Sequence, residues 1–142
     1  MNQPIQNTQK LTNFSIPDIN EYLGNLKRLI LEDKYTISRD ESSRKENADF
    51  IEDYKINTDK EKEIILGLTY LDFCYAVNNK NPRFPHEILY VFSKTHELDH
   101  WGTLENVEIY IKTNLTQTRG GSDVAIVISF HKRNKQITFL FR

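Results

Sequence analysis

Between Ser15 and Glu32 the apolar side chains recur as Ile19, Tyr22, Leu23, Leu26 and Ile30, the three-and-four spacing of a helix that buries one face. Ser15 offers an oxygen to the free N–H groups of the first turn, Pro17 is tolerated there, and Asp18 sets an acid at the positive end. A helix is therefore predicted from Ser15 to Glu32. Lys34 to Arg39 alternates and favours an extended segment, and residues 40–46 read as an exposed loop. Asn47 is expected to cap a short helix through Phe50, Ile51 and Tyr54. Thr58 with Glu61 opens another that carries Ile64, Ile65 and Leu68. Thr69 with Asp72 repeats the capping pattern, so a third short helix is expected over Phe73 to Val77. Residues 78–85, with Pro82 and Pro85, form a loop.

Beyond that loop the period changes to two. Residues 87–94, 107–115, 124–131 and 136–141 are rich in Val, Ile, Tyr and Phe and are predicted as four strands. Gly120-Gly121 suits a two-residue hairpin turn between the second and third. The apolar positions are odd in one strand (Val107, Ile109, Ile111, Leu115) and even in the next (Val124, Ile126, Ile128, Phe130). A two-residue turn at Gly120-Gly121 pairs residues whose numbers sum to 241, an odd sum that lays both apolar sets on one face. The expected fold class is α+β, with N-terminal helices packed on one face of a mostly antiparallel sheet. Residues 1–14 are a polar tail, and residues 15–142 are one domain with a helical part over 15–79 and a sheet part over 86–142.

Composition narrows the class. The 142 residues are 38% hydrophobic and 27% charged with only 5 Gly and 4 Pro, which excludes collagen-like and wholly disordered chains. No apolar run approaches the ~20 residues of a membrane-spanning helix. Met1 to Phe14 lacks the apolar stretch of a secretory signal, and Cys74 is the only cysteine, so a cytoplasmic setting is expected. Net charge is -1 but uneven: residues 1–79 carry 10 Lys and Arg against 14 Asp and Glu, whereas residues 80–142 carry 9 against 6 and hold all four histidines. Such a second half permits an anion-binding face, or simply a solvated one.

The same strand parity collects a polar face. The register that sums to 241 sets Tyr110 across from His131 and Lys112 across from Ser129, with Arg133 next along. A phenol, an ammonium, an imidazole and a guanidinium suit cleavage of RNA by its own 2′-OH. That reaction needs proton transfer at two oxygens and positive charge on the phosphorane, and no metal or other cofactor. Exposed sheet faces also carry Tyr and Lys as a matter of course, so parity alone leaves both readings open. Lys94 and His86 are candidates for the same face, and the basic turn Lys132-Arg133-Asn134-Lys135 for phosphate contact. His96-Glu97-Leu98-Asp99-His100 spells H-E-x-x-H, the motif that places two zinc-binding His on one helical face. An exposed loop is the favoured reading there, a metal-dependent hydrolase the rival. Cys74, in an apolar stretch without basic neighbours, reads as a buried structural thiol.

Five short segments in order resemble the MqsR family of bacterial type II toxins. They are Tyr22 to Ile30; Tyr35-Thr36-Ile37 with Arg44 to Ile51; Ile64 to Phe73; Glu108-Ile109-Tyr110-Ile111-Lys112; and Val127-Ile128-Ser129-Phe130-His131. The resemblance spans roughly residues 19–133, with residues 95–106 as an insertion. It implies a RelE-like fold and a ribosome-independent endoribonuclease that cuts single-stranded mRNA. It also implies a cognate antitoxin protein, without which no DNA binding is expected, and no membrane association. Tyr110, Lys112 and His131 fall on the family's sheet motifs, and Tyr75 stands where a relative carries a functional lysine. The expected catalytic set is thus Tyr110, Lys112, His131 and Arg133, with Lys94, Lys132, Ser129 and Tyr75 on the substrate. A non-catalytic RNA- or protein-binding module on the same scaffold is the alternative.

Overall fold

Helix α1 (Ile16–Leu31) forms as its pattern requires: Ser15 Oγ accepts from the Asp18 N–H and Asp18 Oδ2 from the Ser15 N–H, at 3.2 and 2.8 Å. The structure, a computed structural model, describes residues 9–39 and 45–142. Most of the expected loop 40–46, and residues 1–8 of the expected tail, lie outside the described residues. After α1 come β1 (Tyr35–Ile37), α2 (Lys45–Asp53), α3 (Thr58–Leu66), a 3-10 turn (Tyr70–Asp72), and strands β2 (Phe73–Asn78), β3 (Ile88–His100), β4 (Thr103–Gln117) and β5 (Asp123–Lys132). The strands form one sheet in the order β1-β5-β4-β3-β2, antiparallel except for the β1–β5 pair. The fold is α+β as expected.

Several local expectations are corrected. Phe73 to Val77 is an edge strand rather than a helix, because the Thr69/Asp72 capping box closes only a single 3-10 turn. Residues 136–141 form no strand: they run irregularly across the sheet. The H-E-x-x-H stretch is not an exposed loop: residues 95–106 continue β3 and β4, which pair out to His100 and Thr103. Trp101 and Gly102 turn that hairpin with positive φ of 54° and 93°, the geometry of a type I′ turn. The helical part also supplies both edge strands, so the boundary at residue 79 divides chain segments and not layers.

One face of the sheet carries the main core. Ile109, Ile111 and Phe130 meet Ile19, Leu26, Phe50, Ile64 and Ile65 from the three helices, all essentially inaccessible to water. Tyr22 reaches across this layer, its hydroxyl 2.6 Å from Thr113 Oγ1 and its ring stacked on Tyr90. A smaller apolar cluster lies on the opposite face: Cys74, Tyr75, Val77, Leu89, Val91 and Tyr110, with Ile137 and Phe139 of the C-terminal segment packed against it. That segment is anchored by Leu140 N–H to the Phe73 carbonyl and by Arg142, which reaches Asp72 at 3.0 Å. At the other end of the chain, Leu11 pairs with Ala76 through two backbone hydrogen bonds, which tie this part of the polar tail to the β2 edge.

Candidate active site

The predicted register holds where it matters: Tyr110 lies opposite His131 and Lys112 opposite Ser129. The reason is different from the one expected. The β4–β5 connection is five residues, 118–122, closing from Gln117 and Asp123, a pair that sums to 240. A bulge then inserts Ile128: Thr113 faces Val127, and Lys112 faces Ser129. The extra residue restores the sum of 241 at the site. It also divides the apolar face of β5. Ala125 and Val127 join Phe130 in the main core, whereas Ile128 packs against the smaller cluster on the other face. The even-numbered apolar face expected for β5 is therefore corrected.

Asn47 holds the bulge in place. It sits inside α2 rather than at its cap and is fully buried. Its amide nitrogen donates to the Ser38 and Ile128 carbonyls at 2.8 and 2.9 Å, and its oxygen accepts from Phe130 N–H at 2.8 Å. A bulge leaves backbone groups outside the strand ladder, and this one amide meets them.

On the face away from the helices, Tyr75, Tyr110 and Lys112 line a cavity of about 420 Å³ together with Lys10, Lys80, Lys135, Val77, Asn78, Asn79 and Leu89. Four of these lining residues are lysines and none is a carboxylate. Tyr75 and Tyr110 are 4% and 5% exposed and belong to the same small apolar cluster. Burial pushes the Tyr75 phenol above its ordinary pKa. Each ring carries an ammonium over its face, Lys10 on Tyr75 at 4.7 Å and Lys135 on Tyr110 at 4.9 Å. The Tyr75 phenol stays neutral at physiological pH, and the lysines give the cavity its sign.

His131 is adjacent to this cavity but does not line it. Its ring stacks on Tyr110 with centroids 5.4 Å apart. Its Nδ1 lies 2.8 Å from the Lys132 carbonyl, which can only accept, so Nδ1 carries a proton. Ser129 is buried across from Lys112. Arg133 lies on the same face, yet its guanidinium is engaged by Glu108 and by the Lys135 carbonyl at 2.7 Å. Lys94 and Lys132 are not brought in. Lys94 projects to the helix side, 3.7 Å from Asp72 and beside Gly67. Lys132 extends over the Tyr54 ring and lines a separate cavity near α2. Their even numbers place both on the core side at this end of the sheet.

Lys10 and Lys80 were not foreseen, because the N-terminal segment and the 79–87 loop meet the sheet only in three dimensions. Lys80 follows Asn79, whose side chain is pinned to Glu87 at 2.9 Å and to the Asn81 N–H at 3.0 Å. The H-E-x-x-H residues lie on a strand, where His96 and His100 are four residues and so ~13 Å apart, against the single turn of a helix. The paired-ligand geometry of that motif is absent. His96 Nε2 is buried without a hydrogen-bond partner, and His100 Nδ1 lies 3.4 Å from Glu105. Cys74 is buried, its thiol pushed up to about 12.

No family model matches this chain, and no curated protein or solved structure matches it either.

Proposed function

We propose that the protein is a metal-independent endoribonuclease acting on mRNA, the toxin of a type II toxin-antitoxin pair, working in the cytoplasm and held in check by a protein antitoxin. The observation that carries the nuclease reading is the cavity itself: four lysines around two buried phenols, with no carboxylate among its described lining residues. The toxin and antitoxin parts rest on the resemblance of the five segments, which places Tyr110 and Lys112 on the family's sheet motif.

In the proposed reaction an RNA phosphate enters among Lys112, Lys10 and Lys135, whose ammoniums neutralise its non-bridging oxygens as the phosphorane forms. The 2′-oxygen bonds to phosphorus and the bond to the 5′-oxygen breaks. The proton lost by the first is replaced at the second through the Tyr75–Tyr110 hydroxyl pair. His131 is a positioning residue, holding the Tyr110 ring.

Incubation of the chain with mixed RNA in EDTA tests this. Discrete cuts with 2′,3′-cyclic phosphate ends, lowered ~10²–10⁴-fold in Tyr110→Phe and Lys112→Ala, are expected. One observation favours the second reading, a non-catalytic RNA-binding module: no imidazole or carboxylate is among the described residues lining the cavity to accept a proton. That reading expects RNA to be bound and left intact.

A further inference from the structure

The cavity is not uniform along its length. The strand register sorts the residues of this face into successive rows. Ser93, Tyr110 and His131 lie in one row, and Tyr75, Val91, Lys112 and Ser129 in the next. Val77 and its cross-strand partner Leu89 lie one row further along β2 and β3. Rows are separated by two residues, about 7 Å. The cavity therefore runs from a hydroxyl-and-ammonium end at Tyr110, Tyr75 and Lys112 to an apolar end at Val77 and Leu89. Val77 and Leu89 are themselves backed by the smaller apolar cluster, so their outer surface is a firm floor. Lys80, on the loop pinned by Asn79, stands among the lining residues as well.

A phosphate alone does not account for this shape. A volume of about 420 Å³ falls in the range of sites that hold a whole small molecule, and the side chains of Val77 and Leu89 themselves offer nothing to an anion. We propose that the cavity binds one complete nucleotide of a single strand: the phosphate among the lysines, and its base lying against Val77 and Leu89. This deepens the nuclease reading and rests on its placement of the phosphate. The base would rest by its face on Val77 and Leu89, and of the two lining amides that of Asn79 is already committed to Glu87 and to the Asn81 N–H. Val77 and Leu89 are then residues that position the substrate beside Tyr110 and Lys112.

Titration of the full chain at low ionic strength with inorganic phosphate, ribose 5-phosphate and adenosine 3′-monophosphate separates the parts. Burial of the base is expected to make the nucleotide bind at least about tenfold more tightly than ribose 5-phosphate. Leu89→Phe, which fills the apolar end, should remove that difference. The near-isosteric Val77→Thr should reduce it without threatening the fold. Equal affinity for all three ligands would overturn the base subsite while the phosphate site stands. A nucleotide advantage that survives Leu89→Phe would also overturn it. Binding of none of the three would overturn this proposal together with the phosphate placement beneath it.

Discussion

The ring of Tyr110 lies nearly parallel to that of His131 across the β4–β5 ladder, 26° between planes and 5.4 Å between centroids. The contact joins the cavity, which Tyr110 lines with Tyr75, to the end of β5. It exists because the bulge at Ile128 returns His131 to the face that Tyr110 occupies.

If His131 acts by holding that ring, an aromatic without nitrogen can replace it. His131→Phe should retain most of the RNA cleavage, whereas His131→Ala should lose about tenfold, the order of one aromatic contact. Cleavage rates of the two variants check this. A fall of ~10²–10⁴ in both would instead make the imidazole a proton carrier.

The salt dependence of RNA binding separates the lysines that line the cavity from those that do not. Lys112→Ala and Lys10→Ala should each lower the slope of log K against log salt by about 0.7, the value for one phosphate contact on a single strand. Lys94→Ala, on the helix side, should leave the slope unchanged. Filter binding across a salt series gives all three.

Asn47→Ala should destabilise the fold by about 3 kcal/mol, since the Ile128 and Ser38 carbonyls and the Phe130 N–H lose their buried partner together. Urea unfolding measures this as a lower midpoint. Asn47→Asp should recover only the Phe130 bond, because a carboxylate cannot donate to the two carbonyls.

Stability should fall on the alkaline side. Below about pH 9 the Cys74 thiol is protonated in the folded and the unfolded chain alike. Between pH 9 and about 12 the unfolded chain releases that proton and the folded one retains it, so stability declines by about 1.4 kcal/mol per pH unit. Tyr22, also raised by burial, adds to the decline from about pH 10. Urea midpoints at successive pH values should show this slope, with the Cys74 share removed in Cys74→Ala. The native thiol should also resist alkylation at pH 8, which unfolding relieves.

Much of the fold was legible in the chain because its signals are local. The three-and-four spacing from Ile19 to Ile30 made α1, and alternation made the centres of β3, β4 and β5. Where the local signal was shared by two outcomes the reading failed. A capping box precedes a 3-10 turn as readily as a helix, so Phe73 to Val77 was misassigned. The stretch from Thr95 to Asn106 is polar because little of it meets the core, and such a pattern hides a hairpin arm.

The sequence by itself determined that Tyr110 and Lys112 share one face of their strand, and Ser129 and His131 one face of theirs, since side chains alternate along any strand; the bulge at Ile128 brought the two pairs to the same face. Only the tertiary structure decided which cations join them. Strand parity says nothing about a chain end or a loop, yet the pairing of Leu11 with Ala76 delivers Lys10 and the pinned turn after β2 delivers Lys80. Parity likewise could not show that Arg133 is already held by Glu108, or that Lys94 faces the helices. Alternation assigns a side chain to a face. What meets it there depends on segments distant in the chain, and on the one inserted residue, Ile128, that Asn47 holds from across the fold.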